Sequence, residues 1–249
     1  MGQIPSMRVL KYFFWDYFAW QRLKKIHSNP RLVSEIKEKL NSASSTFLPQ
    51  QSLLETTFTV FDLETSGFFP QLGDEIVSIG AIKINAASEE IEQENFYEVV
   101  SPLGKVPEEI YSLTGLTKQQ LVNGSSFDAA FLKFLEYSKG TILVAHPASF
   151  DIHFLKVMLK RWGIVNFNPE FIDSYFLANY LQPNSKNKLD ELVDRFDVDQ
   201  KERHHALNDA IMTAEIFLKL LSLLQKSGIY TLEDYFKLKG KKKGKLSVL

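Results

Sequence analysis

The pattern of apolar and polar side chains changes character twice along this chain. Across residues 7–26, Leu10, Phe13, Phe14, Tyr17 and Trp20 recur at three- and four-residue intervals, which predicts an amphipathic helix. Arg22, Lys24 and Lys25 lie near its end, where cations suit the negative pole of the helix dipole. A second helix is predicted over residues 31–40. The small, polar, proline-containing stretch 41–52 reads as a linker. From Thr57 the period shortens to two. Residues 57–61 are β-branched and aromatic, residues 75–85 alternate Ile76, Ser78, Gly80, Ile82 and Ile84 with Val77, Ile79, Ala81 and Lys83, and residues 95–102 stop at Pro102. Three consecutive strands are predicted there. Helices and strands then alternate: a helix over 126–140, a buried strand over 141–146, a helix over 148–163, a short strand entering a helix over 171–183, a helix over 189–196, and the longest helix over 205–228. This order defines an α/β domain with a mixed sheet. The expected organisation is a helical extension and linker over 1–52, the α/β domain over 53–228, and a basic tail over 229–249.

Composition narrows the chemistry. With 249 residues, 45% of them apolar and 24% charged, the chain matches an ordinary globular protein rather than a disordered or fibrous one. It is long enough for one large domain with a true core. There is no cysteine, so disulfides, thiolate catalysis, iron–sulfur clusters and cysteine-based zinc sites are excluded. A reducing, cytoplasmic setting is the expectation. No apolar run approaches the ~18 residues of a membrane helix, and Arg8, Lys11 and Asp16 interrupt the hydrophobic N-terminal segment, which makes a poor signal peptide. Stable membrane insertion is not expected. The formal net charge of −1 means that affinity for a polyanion must come from local charge or from metal ions. No G-x-x-x-x-G-K-[ST] phosphate loop occurs.

Three places carry candidate chemistry. Asp62 and Glu64 stand two apart at the end of an apolar strand, so both carboxylates point to one face beside the Gly67 turn. Strand ends of this kind bind ligands in α/β sheets, although such pairs also decorate ordinary surface strands. Two carboxylates side by side repel unless a cation or a proton intervenes. Asp151 follows a buried strand and a turn, near the start of a helix, where a capping aspartate is the plainer alternative. Asp209 lies in the first turns of the longest helix, just after His204 and His205, where an acid is favoured by the dipole alone. The histidine pair has neither the spacing nor the companions of a zinc site.

Taken in order, FDLETSG, HPASFD and HHALNDA resemble the three motifs of the DEDD 3′–5′ exonucleases, specifically their histidine branch, which includes the proofreading epsilon subunit of DNA polymerase III. The resemblance covers residues 57–224. The segment YSLTGLT at 111–117 is similar to the family's short stretch against the terminal nucleotide. It implies a ribonuclease H-like fold, a five-stranded mixed sheet flanked by helices. It further implies that Asp62, Glu64, Asp151 and Asp209 hold two Mg²⁺ or Mn²⁺ ions. Hard oxygen donors suit those ions rather than zinc, and a two-ion site serves phosphodiester hydrolysis by activating water and holding the leaving oxygen. A histidine suits removal of the water's proton at neutral pH. The family's histidine precedes its last aspartate by five positions, which selects His204, whereas His205 lies one helical turn from Asp209.

By the same resemblance, Leu63, Thr65, Leu113, Thr114 and His204 are expected to meet the terminal nucleotide, with Leu63, Leu113 and Thr114 wedging or cradling its base. One departure stands out: Pro147 follows His146 where the family carries asparagine, which removes a side-chain hydrogen bond and bears on substrate preference. Phe150 reads as core, and Phe68 and Phe69 read as packing rather than stacking on nucleotides. Lys237, Lys239, Lys241, Lys242, Lys243 and Lys245 either touch phosphates or solubilise the tail. The N-terminal aromatic stripe either folds onto the domain or docks a polymerase, another partner or a membrane surface. The expected partner is the 3′ end of a single-stranded nucleic acid, with DNA as the first expectation and a DNA polymerase as a further candidate. An exoribonuclease acting on RNA or short oligomers, and an inactive exonuclease-like binding module, are the alternatives. The module would be expected to have lost at least one acid.

Overall fold

A computed structural model describes residues 6–42, 48–88 and 90–246. Residues 43–47 of the expected linker lie outside these, as do the side chains of Phe13, Lys241, Lys242, Lys243 and Lys245. The elements run α1 (Ser6–Lys11), a π-helical turn (Tyr12–Asp16), α2 (Tyr17–His27), α3 (Pro30–Ser42), β1 (Thr57–Thr65), β2 (Ile76–Asn85), β3 (Glu90–Val99), α4 (Glu108–Thr114), α5 (Lys118–Val122), α6 (Phe127–Tyr137), β4 (Ile142–Ala145), α7 (Ala148–Arg161), β5 (Phe171–Asp173), α8 (Ser174–Leu181), α9 (Leu189–Phe196), α10 (Ala206–Lys226) and α11 (Leu232–Leu246).

The five strands form one sheet in the order β3-β2-β1-β4-β5. β1 pairs antiparallel with β2 and β2 with β3, while β1–β4 and β4–β5 are parallel. The mixed sheet expected from the strand order is therefore present, with β1 at its centre. Its period-two alternation separates two apolar layers. Phe58 and Val60 of β1 join Ile82, Ile142 and Val144 in a core with α8, α9 and α10. Phe61 and Leu63 face the other way, into a core with α6 and α7. Asp62 and Glu64 continue the register of Phe58 and Val60, so they emerge on the side of the sheet covered by α10.

That helix sits unusually close. Gly80 pairs with Asp62 across β1 and β2, and a methyl group on Gly80 would overlap the backbone of Ala206 and Leu207 at the start of α10. Gly80 is thus the residue type that lets the helix N-terminus rest on the sheet beside Asp62.

The N-terminal helices pack on the domain. Trp20 and Ile36 are buried in the same layer as Phe61 and Phe127. The Trp20 indole N–H donates to Glu75 at 2.8 Å, and the Arg161 guanidinium lies 4.2 Å from the Trp20 ring centroid. The Asn29 N–H donates to Asp128, and Arg8 pairs with Asp74. At the other end, the segment read as a basic tail forms α11, with Leu232 and Tyr235 buried in the first core. Its backbone also clasps the entry to β1: the Leu53 N–H donates to Tyr230 O at 2.8 Å, and the Leu232 N–H to Gln51 O at 3.1 Å. The short helices α4 and α5 were not anticipated. A capping box built by Thr117 and Gln120 starts α5.

Candidate active site

Four elements converge where β1 ends. β1 supplies Asp62 and Glu64, β4 runs into α7 with Asp151 in its first turn, and α10 carries Asp209 in its own first turn. Glu64, Asp151 and Asp209 are buried, and Asp62 is half-buried. Ligand atoms of Glu64, His204 and Asp209 all lie within 4.8 Å of one another. The Leu63 main-chain N–H faces the Asp151 carboxylate and favours its charged form.

The electrostatics follow from crowding acids in a poorly hydrated place. Burial lifts Asp62 well above the ordinary carboxyl range, and the charges of Asp151, Glu64 and Asp209 add to it. Burial, then the Asp209 charge, pushes Glu64 up to about 8. Asp151 also rises to about 8, chiefly by burial, with Asp173 and Glu64 adding to it while the backbone N–H groups of Asp151 and Leu63 oppose it. A Lys or Arg would relieve only part of this repulsion: Arg203 pairs with Asp209 and with Asp190. Among the described residues, Asp209 Oδ1 is buried with no hydrogen-bond partner. Mutually destabilised carboxylates with a spare buried oxygen form a donor set that fits hard divalent cations.

The structure places the two histidines differently. His204 is exposed, sits in the left-handed region at φ 60°, and its main-chain N–H donates to Asp209 Oδ2 at 3.2 Å. It precedes the helix, and its ring shares the cluster with Glu64 and Asp209. His205 is the N-cap of α10, and its ring stacks on Tyr97 with centroids 4.5 Å apart. Tyr97 is the β3 partner of Gly80 in the sheet register. Tyr97, Gly80 and Asp62 therefore form one row across three strands, with the start of α10 above it.

The residues expected to contact a terminal nucleotide divide. Leu113 stands exposed on α4. Leu63, expected beside the base, instead buries its side chain in the second core, because odd-numbered positions of β1 face away from Asp62 and Glu64. Thr114 is buried and its hydroxyl donates to Ile110 O at 2.8 Å. The Thr65 hydroxyl donates to Gly67 O at 2.8 Å and shapes the turn. Phe150 packs against the second core, as read from the sequence. Phe69 lies beneath Arg8, but Phe68 is 76% exposed, against the packing expected of it, because the Gly67 turn carries it clear of both layers.

His146 of the second motif is a structural residue here. Its Nε2 faces Asn187 O at 2.9 Å and its Nδ1 faces Ser174 Oγ at 2.8 Å, and burial lowers its pKa to about 4. Sequence reasoning did not single out Gly80, Tyr97, Asp173 or Arg203. Only Arg203, adjoining the histidine pair, carried a signal in the sequence.

A mixed five-stranded sheet thus gathers buried acids at the end of its central strand. The sequence profile of the RNase T family, the exonucleases, matches residues 59–217, and this chain belongs to that family. The DNA polymerase III subunit epsilon of Aquifex aeolicus is 32% identical over 207 residues, covering 83% of this chain and 100% of that protein. The PolC-type DNA polymerase III of Thermotoga maritima is 32% identical over 228 residues, covering 91% of this chain and 16% of that much longer protein. Among solved structures, the nuclease domain of 3′hExo, a DEDDh family member bound to rAMP, shares the fold with a TM-score of 0.61 at 21% identity, over 69% of this chain and 94% of that one. Exonuclease X in complex with 5′ overhanging duplex DNA does so with a TM-score of 0.55 at 21% identity, over 72% and 96%.

Proposed function

We propose that this exonuclease removes nucleotides one at a time from the 3′ ends of DNA, single-stranded or frayed, and releases nucleoside 5′-monophosphates. Asp62, Glu64, Asp151 and Asp209 would hold two Mg²⁺ or Mn²⁺ ions. When bound, such ions supply positive charge that acidifies water and steadies the leaving 3′ oxygen. The chain's own residues do the rest. His204 takes the proton from the attacking water, since it is exposed, lies outside the helix and stands with Glu64 and Asp209. Arg203 offsets part of the acidic charge. The α10 N-terminus adds its positive pole beside the same carboxylates.

The observation that carries this reading is the gathering of Glu64, His204 and Asp209 within 4.8 Å at the end of the central strand, with Asp62 and Asp151 pressing on the same field. DNA is preferred as substrate because the relatives at 32% identity are DNA polymerase III proteins. They also support a role in proofreading beside a polymerase, and such a role on DNA would place the chain in the cytoplasm. Matched 3′-labelled DNA and RNA strands, incubated with Mg²⁺, test the choice. Faster release from DNA is expected, and release confined to RNA would overturn it.

A further inference from the structure

The side of α1 and α2 turned away from the domain carries an unusual surface. Tyr12 and Trp20 face inward, whereas Leu10, Phe14, Trp15, Phe18 and Ile26 are each 58–75% exposed. Leu10, Phe14, Phe18, Arg22 and Ile26 follow at four-residue steps, which places them along one side of the helix. Arg8, Lys11, Arg22, Lys24 and Lys25 stand against a single acid among residues 6–27, Asp16, which Lys11 approaches at 3.9 Å.

The helices that carry this surface dock, through their inward side, on the loop that leaves the active-site strand. Arg8 pairs with Asp74 and lies 5.5 Å from the centroid of Phe69, and a Cβ on Gly73 would touch the Tyr12 ring. All three belong to the loop that follows Glu64 and Thr65 of β1. Phe68, exposed in the same loop, meets Phe150 edge-on at 6.2 Å, one residue before Asp151. Exposed aromatic rings thus stand on the loop at Phe68 and, on the helices that Arg8 and Tyr12 dock against that loop, at Phe14, Trp15 and Phe18.

We propose that this surface is an accessory track for the single strand whose 3′ end enters the active site, with bases stacking on Phe14, Trp15 and Phe18 and phosphates meeting Arg22 and Lys25. Stacking on aromatic faces is indifferent to sequence, and cations follow the backbone. Residues 6–27 extend about 33 Å as helix, comparable with tracks that hold roughly 4–16 nucleotides. An apolar patch alone would fit a lipid or a protein surface equally well. The excess of cations, on helices docked against the loop that carries Phe68, favours a stackable polyanion. The inference rests on the proposed action at DNA 3′ ends.

The test compares steady-state hydrolysis of strands of about 5 and about 20 nucleotides by the full chain, by the Phe14→Ser/Trp15→Ser/Phe18→Ser variant, and by Arg22→Glu/Lys25→Glu, whose exposed positions leave the fold intact. Expected is a rise in KM of about tenfold for the long strand, with KM for the short strand and kcat for both unchanged. The charge variant should in addition show a shallower salt dependence. An unchanged KM for the long strand in both variants would overturn the track while leaving the exonuclease reading in place. A wild-type enzyme that degrades neither strand would end both. Sedimentation with anionic phospholipid vesicles, abolished in the aromatic variant while long-strand KM stays constant, would assign the surface to a lipid interface instead.

Discussion

At the scale of single residues, the pairing of His204 with Asp209 separates two histidines that are adjacent in the chain. The His204 backbone bends through the left-handed region and presents its ring to the acids, while His205 caps the helix and stacks on Tyr97. Replacing His204 by Ala is expected to lower kcat by about 10²–10⁴-fold, the usual contribution of a positioned general base. His205→Ala should cost less, through a looser helix start. Equal losses in the two variants would reverse the assignment. The carboxylates make a second prediction. Without metal, Glu64 and Asp151 rise to about 8, so above about pH 6.5 the folded chain keeps protons that an unfolded chain, ionising near pH 4, has released. Stability then falls as pH rises from about 6.5 to 8. His146, lowered to about 4, acts in the opposite sense, but only below its unfolded pKa of about 6.5, and so leaves this window to the acids. Melting temperature measured in EDTA should therefore drop across the window, and Mg²⁺ should restore it by binding the ionised carboxylates. A flat profile in EDTA would contradict the buried, mutually repelling cluster.

At the scale of elements, the site depends on how closely α10 approaches the sheet. Gly80→Ala forces a methyl group into the backbone of Ala206 and Leu207, which must move the helix carrying Asp209. Activity is expected to fall by about 10²-fold, since small displacements of catalytic groups cost that much, with the far-ultraviolet spectrum preserved. Normal turnover would show that the contact does not position the acids. Trp20 ties the N-terminal helices to the domain through Glu75 and Arg161. Trp20→Ala should destabilise the whole chain by about 3–5 kcal/mol, as a buried aromatic does, in a single urea transition. An early, separate loss of only the N-terminal helices would contradict that coupling. The element pattern was largely legible in the sequence because β1, β2 and β4 are buried and strongly apolar. β3 starts earlier than its hydrophobic run suggested, since Glu90, Glu92 and Glu94 lie on the exposed edge strand and carry no apolar alternation. α11 was hidden by lysines: Leu232, Tyr235 and Leu238 anchor it, but a few apolar anchors in a charged stretch do not announce a helix.

At the scale of the molecule, the central β1 is braced from both sides. The N-terminal helices join the layer of α6 and α7, while α11 clasps the entry to β1. The three acidic motifs could be found in the sequence because each sits at the end of an apolar strand or at a helix start, where type and position coincide. What brings them together could not. The row Tyr97–Gly80–Asp62 spans three strands and depends on register, and the burial of Leu63 away from the site depends on which face of β1 the helix covers. No helix among the described residues is long and apolar enough to cross a membrane. The proposed function requires that these distant acids jointly hold divalent ions for hydrolysis at a 3′ end. A 5′-labelled single-stranded DNA incubated with Mg²⁺ tests it most directly. Wild-type protein should shorten the strand stepwise from its 3′ end, and Asp62→Ala, or wild type in EDTA, should leave it intact. An identical ladder from Asp62→Ala would contradict the claim.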